Sequence, residues 1–400
     1  MNFLLNFCGI VVVMGFMYLI SSDRKCVQHK MIGKALAIQF ILAFFLVKFS
    51  YGRRFIEQLS DLVTLVLSYG QSGLSFVFGS LALASAPAGF LFAFQVLGNI
   101  VFIAALVGAL SYLGVISFVV EKLGWCVGKV VGTTQVESFV AVANMFMGQT
   151  DSPILISKYI RQMTKSELML IMIAGMGSMS VTILGGYVAL GIPMQYLLIA
   201  SALVPLASVA IGKVILPETE ESVAVGKVKF AGDGKSANLI DATVSGAMDG
   251  MQVAFAIGAA LIAIIGLVAL VNGFLGNFGL TLEVMLSYVF APLGYLMGLE
   301  QQYILTAGQL LGSKLVLNEF VAFDQLGKII GSMDERTAMM LSISLAGFAN
   351  ISSMGISVSA ISVFCPEKRG LLAQLVFKAM LGGFGVSVLN AMIVGFILMF

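Results

Sequence analysis

The sequence predicts an all-α polytopic membrane protein: eight transmembrane helices plus two opposed re-entrant helical hairpins in an inverted repeat. Three observations carry that prediction. The 400 residues are 59% hydrophobic and only 10% charged, with a mean hydropathy of +1.03. A soluble chain carries roughly a quarter charged residues, so there are too few here to cover a water-facing globule. Second, continuous apolar runs of the roughly 20 residues that cross a bilayer recur from end to end. Third, two shorter apolar segments break at polar tips. The runs lack the alternation of transmembrane barrel strands. A net charge of +2 gives no electrostatic reason to expect nucleic acid as a partner.

Spans are expected near residues 3–20, 31–49, 90–120, 168–190, 194–216, 244–273, 337–363 and 371–400. The first has no basic n-region and no small-residue cleavage site, and its charges follow the apolar stretch. It reads as a retained span, not a signal peptide. Between the second and third, Arg53, Arg54, Glu57 and Asp61 interleave with Phe55, Ile56, Leu59, Leu62 and Val63. That pattern describes an amphipathic helix on the interface. Residues 284–300 are apolar but short for a span, and Pro217–Asp241 is the longest polar connection.

Positive charge sets the orientation. With the N-terminus outside, regions 21–34, 121–129, 158–165, 213–235 and 368–369 fall inside and collect 15 of the 22 Lys and Arg. Lys48, Arg53 and Arg54 lie on the other side. An even number of spans places the C-terminus outside as well.

The hairpins come next. Ser138–Met147 is apolar but half a bilayer long, ends in Gly148-Gln149-Thr150-Asp151-Ser152-Pro153 and resumes at Ile154. Gly and Pro break a helix, and such a tip cannot face lipid without stranding backbone groups. Tyr303–Ile330 has the same form around Leu317-Asn318-Glu319-Phe320. Asp151 precedes Glu167 by 16 residues, and Glu319 precedes Glu335 by 16. Each pair leads into a span interrupted by small polar residues: Ser178-Met179-Ser180 in one, Asn350-Ile351-Ser352-Ser353 in the other. Corresponding broken segments in two halves point to a transporter's midplane site.

A carboxylate at bilayer depth is costly unless paired, hydrated or neutralised, so Asp151 and Glu319 should face a wet cavity. Half-helix starts offer N–H donors and a positive dipole end. Gln149, Asn318 and Asn350 offer both donors and acceptors. No arginine sits in either tip, which suits a neutral, hydrogen-bond-rich solute better than an anion. Gly232-Asp233-Gly234-Lys235-Ser236 lacks the first glycine of a phosphate loop and reads as linker. With no nucleotide-binding motif, secondary transport is the expected activity and enzymatic chemistry is not. The four cysteines (Cys8, Cys26, Cys126, Cys365) share no metal-like or disulfide-like spacing. His29, among Arg24, Lys25 and Lys30, reads as a solvated loop residue.

At these residues the chain resembles the concentrative nucleoside transporter family of bacterial type. Gly148-Gln149-Thr150-Asp151-Ser152-Pro153 is similar to that family's Gly-Gln-Thr-Glu-Ala-Pro tip. Lys314-Leu315-Val316-Leu317-Asn318-Glu319-Phe320-Val321-Ala322 resembles its second tip, and Gly347-Phe348-Ala349-Asn350-Ile351-Ser352-Ser353 its following helix. Phe76-Val77-Phe78-Gly79-Ser80 and Gly246-Ala247-Met248-Asp249-Gly250 extend the likeness.

The resemblance implies a homotrimer in the bacterial inner membrane, with a scaffold that holds an elevator-like transport domain. On that plan residues 1–120 are scaffold helices with the interfacial helix, 121–216 the first repeat and 217–243 a cytoplasmic linker. Residues 244–283 form a scaffold helix and 284–400 the second repeat. The resemblance further implies that Gln149, Thr150 and Asp151 read the nucleobase with Ile183 beside it. Glu319, Asn350 and Ser353 would bind the ribose hydroxyls, and Phe348 would contact the nucleoside. Asn144 and Ser178, with the backbone carbonyls of Met147 and Met179, would hold sodium as coupling ion, with a proton as the alternative. Substrates would be nucleosides such as uridine, cytidine or adenosine, with no further cofactor. Asp151 departs from the family's Glu, so its shorter side chain would reach a base through water. The competing reading is a carrier of carboxylates or amino acids on a similar two-hairpin plan.

Overall fold

The computed structural model describes residues 2–83, 89–220 and 236–400, and every regular element among them is helical. The glycine-rich stretch Gly232–Lys235 lies outside the described residues. Helices α1 (Asn2–Leu19) and α2 (His29–Val47) are the first two spans. The amphipathic segment is α3 (Ser50–Phe78), which runs on past its charged face to Phe78.

The expected span at 90–120 is not one helix. A π-turn at Ala93–Leu97 leads into α4 (Gly98–Tyr112), the chain turns at Gly114 with φ +74°, and α5 (Val115–Val131) follows. Only glycine adopts that left-handed conformation without strain. Hydropathy runs straight through the break because both flanks are apolar.

The first hairpin has arms α6 (Gln135–Ala143) and the single turn α7 (Ser152–Leu155). The span after it is divided into α8 (Lys165–Gly177) and α9 (Val181–Ala189), and α10 (Met194–Ile215) follows. After the linker come α11 (Leu239–Leu275) and α12 (Leu282–Leu296), the latter matching the apolar stretch at 284–300. It packs along α13 (Gln301–Val316), the first arm of the second hairpin, whose other arm is α14 (Glu319–Gly327). The second divided span is α15 (Glu335–Leu345) and α16 (Ile351–Ser362), and α17 (Arg369–Ile397) closes the fold.

The acidic residues spaced 16 after each tip now have a local reason. Glu167 is the third residue of α8 and completes a capping box with Thr164; Glu335 opens α15 behind its N-cap Asp334. Both place negative charge at a helix start, where the macrodipole favours it.

Seven described helices are long and apolar enough to cross a bilayer, and Phe3–Leu19 is a shorter apolar one. They divide by surroundings. The apolar windows of Lys165–Ala189, Met194–Ile215 and Pro366–Ile397 are 89% buried, whereas that of Leu239–Phe278 is 6% buried. Helices α8, α10 and α17 therefore form the interior, and α11 presents apolar side chains outward, as a lipid solvent permits. Where α11 meets α4 the backbones touch. A Cβ on Gly246 would come within 2.5 Å of the Ala104 carbonyl oxygen, so glycine is required for that crossing.

At the base of the first hairpin lies a buried ion pair. Lys213 of α10, counted from sequence among the inner-loop charges, is instead 5% exposed and pairs with Glu137 of α6. Its Nζ also donates to Ser166 Oγ at 2.9 Å and reaches Glu218 at 3.4 Å.

Candidate functional site

The breaks leave helix starts inside the protein, and a short polar side chain caps those of α9, α14 and α16. Ser180 Oγ accepts from the Thr182 amide at 3.3 Å, Asn318 Oδ1 from Val321 at 2.9 Å, and Asn350 Oδ1 from Ser353 at 2.9 Å. Without these acceptors the orphan N–H groups would be stranded away from water.

The two breaks are joined main chain to main chain. The Phe348 amide donates to the Ser178 carbonyl at 3.1 Å, and the Val181 amide donates to the Phe146 carbonyl at 3.0 Å. The first hairpin, the first break and the second break are thus stitched in sequence. The crossing is tight. Gly347 sits at φ +127°, and a Cβ there would stand 2.9 Å from the Gly177 carbonyl oxygen. Gly347→Ala is expected to cost about 2 kcal/mol or more, since left-handed strain alone costs roughly 1–3 kcal/mol. A fall in melting temperature measures it, and an unchanged one would show that the crossing has slack.

Glu319 is the first residue of α14 and is buried, with its carboxylate at the positive end of that helix. Tyr187 Oη donates to Glu319 Oε1 at 3.3 Å and Asn350 Nδ2 donates to Oε2 at 3.1 Å. From the other hairpin, Gln149 Nε2 donates to Ser353 Oγ at 3.2 Å, while Ser357 Oγ donates to Gln149 Oε1 at 2.8 Å. Both tips therefore meet the same half-helix, α16. The continuous polar line runs Gln149, Ser353, Asn350, Glu319, Tyr187.

The remaining expected residues stand around that line. Ile183 is buried in the first turn of α9, one turn before Tyr187. Phe348 is half-buried, with its ring edge 3.4 Å from where a Cβ of Gly148 would lie. Thr150 is exposed and donates to the half-buried Asp151 Oδ1 at 3.0 Å. Two residues absent from the sequence reading join the network: Tyr187 and Ser357. A usable signal existed, because each lies four residues beyond an expected site residue (Ile183 and Ser353) and so on the same helix face.

A second group of buried polar side chains lies at the end of α6. Asn144 is fully buried. Its Nδ2 donates to the Val140 carbonyl at 3.0 Å, but its Oδ1 has no hydrogen-bond partner among the described residues. Ser178, also buried, gives its hydroxyl proton to the Gly175 carbonyl at 3.1 Å, which leaves its oxygen able to accept. Leaving a buried acceptor unsatisfied costs roughly 1–3 kcal/mol, and a hard cation is what such an amide and hydroxyl oxygen set satisfies. Among the described residues no group of three His, Cys, Asp or Glu is placed to hold a metal.

Comparison with known proteins agrees along the whole chain. The family described as "Na+ dependent nucleoside transporter C-terminus" matches residues 196–395, its N-terminal counterpart 8–81, and "Nucleoside recognition" 93–194. "Uncharacterized transporter YutK" of Bacillus subtilis is 38% identical over 99% of both chains. "Nucleoside permease NupC" of Helicobacter pylori is 32% identical over 98% of this chain and 97% of its own. Human "Sodium/nucleoside cotransporter 1" is 31% identical over 99% of this chain and 64% of its own length. Among solved structures, CNTnw in an inward-facing substrate-bound state superposes with a TM-score of 0.94 at 34% identity, covering 98% of each chain. The chain accordingly belongs to the concentrative, Na+-dependent nucleoside transporter family, multi-pass membrane proteins that carry nucleosides and are not enzymes.

Proposed function

We propose that the protein imports nucleosides by cation-coupled secondary transport, with sodium as the coupling ion and an elevator-like displacement of the site. The observation that carries this reading is the convergence of both hairpin tips on α16, through Gln149–Ser353 and Asn350–Glu319. Glu319 and Asn350 offer acceptors and a donor to vicinal ribose hydroxyls, with Ser353 beside them. Gln149, Thr150 and Asp151 offer a mixed edge to the base, and Ile183 and Phe348 supply apolar cover. Neither tip carries an arginine, so a carboxylate substrate lacks its usual partner.

Sodium is assigned to the orphaned Asn144 Oδ1, the Ser178 hydroxyl and the backbone carbonyls of Met147 and Met179. Bound there, it would tie the end of α6 to the break before α9 and so set the first tip. The N- and C-termini are placed outside by the positive-inside rule. A homotrimer and the division into scaffold (1–120, 244–283) and transport repeats (121–216, 284–400) complete the proposal.

The test is uptake of radiolabelled uridine, cytidine and adenosine into proteoliposomes under separate sodium and proton gradients. Sodium should stimulate uptake, and Asn144→Leu should raise the sodium concentration for half-activation by at least about tenfold, since even outer-sphere changes cost 10–100-fold in ion affinity. Uptake driven by protons alone would reassign the ion; absence of nucleoside uptake under either gradient would overturn the substrate.

A further inference from the structure

Lys314 is fully buried on α13, five residues before Glu319, and it enters no ion pair among the described residues. Its ammonium is held by neutral groups. Nζ donates to the Ser344 carbonyl at 2.9 Å and to Ser387 Oγ at 2.5 Å, and it stands 5.5 Å from the centre of the Phe384 ring. Ser387 in turn gives its own hydroxyl proton to the Phe384 carbonyl at 3.0 Å, so its lone pair faces the lysine. Ser344 lies in the last turn of α15, where carbonyls lack helical partners and the dipole is negative. A carbonyl, a hydroxyl and an aromatic face around a positive charge are a cation's coordination sphere, not a salt bridge.

The topology gives this sphere a counterpart. In the first repeat, the pocket of Asn144 and Ser178 lies where the hairpin's first arm, α6, meets the end of the first half-helix, α8. In the second repeat, Lys314 lies on the hairpin's first arm, α13, and reaches the end of the first half-helix, α15. The two positions correspond under the inverted repeat.

We propose that Lys314 is a resident cation: the second repeat carries, covalently attached, the positive charge that the first repeat takes from solution. The role is positioning. The ammonium joins the second hairpin's first arm to α15 and α17, fixing the end of α13 from which the chain turns into Glu319. It leaves a single exchangeable cation site in the pair of repeats. The inference rests on the reading of the Asn144 pocket as the coupling-ion site.

The experiment is equilibrium binding of uridine to purified, detergent-solubilised protein. The parent is measured first with and without sodium; a parent that ignores sodium defeats the coupling-ion reading and leaves the lysine's role to the variants. Lys314→Ala removes three methylenes and the ammonium, the atoms of n-propylammonium. Its uridine affinity should fall by about tenfold or more, as expected when a buried charge is lost from a site. Added n-propylammonium should restore most of that affinity, while 1-propanol, of the same size without the charge, should not. The parent should respond to neither. Lys314→Arg should retain more affinity than Lys314→Met. Equal rescue by propanol, no rescue by either, or parent-like binding by Lys314→Met would overturn the proposal. Failure of all three variants to fold would overturn it too, by making the ammonium a folding element.

Discussion

Glu319→Gln is expected to lower nucleoside affinity about a hundredfold without lowering the melting temperature. The carboxylate is the one anionic acceptor on the polar line, and a hydrogen bond to a charged group is worth roughly 1.5–3 kcal/mol; about 2.7 kcal/mol is a hundredfold in binding. Glutamine keeps the shape but turns an NH2 toward either the Tyr187 hydroxyl or Asn350 Nδ2, both of which donate to the carboxylate. Against Asn350 Nδ2 a donor would face a donor, so the NH2 settles toward the Tyr187 hydroxyl, which can accept, and the ribose hydroxyl proposed to bind there loses its anionic acceptor. Stability should hold, because removing a buried charge relieves desolvation. Titration calorimetry with uridine, read beside a thermal melt, separates the effects. Undiminished affinity would remove Glu319 from the ribose pocket, and joint loss of affinity and stability would recast it as a structural acid.

The second large effect concerns stability alone. Lys213→Met should destabilise the protein by about 3–5 kcal/mol, the usual consequence of breaking one side of a buried ion pair. The substitution strands Glu137, which is 1% exposed and whose carboxylate otherwise accepts, among the described residues, from the Thr134 amide of its own capping box at 3.1 Å. Removing both charges, as Glu137→Gln with Lys213→Met, should recover most of the loss, because the uncompensated anion is then gone. Melting of the purified single and double variants decides the matter. A double variant as unstable as Lys213→Met would show that Ser166 and Glu218, not Glu137, are what the ammonium serves.

Much of this architecture was legible because membrane helices advertise themselves twice, by apolar length and by the residues that interrupt them. Both hairpins, both divided spans and the four residues of the central network were visible as polar letters in apolar text. What escaped reading was of two kinds. Tyr187 and Ser357 look like ordinary members of an apolar helix, and only the tertiary meeting of α9 and α16 with the tips gives their hydroxyls work. Lys213 and Lys314 were read by position, one as loop charge and one as part of a motif. Burial is a property of what packs against them, and no local pattern states it. Gly114 failed differently: hydropathy cannot register a turn flanked on both sides by lipid-compatible residues.

The bonds from Phe348 to Ser178 and from Val181 to Phe146 are made entirely by peptide groups. Substituting any of those side chains, proline at the donors apart, leaves the donors and acceptors in place. The cradle is therefore insulated from mutational drift in the side chains proposed to read the base. If Asp151 and Gln149 read the base as proposed, a lineage can exchange them, and with them its preferred cargo, without first re-inventing the seat in which that cargo rests.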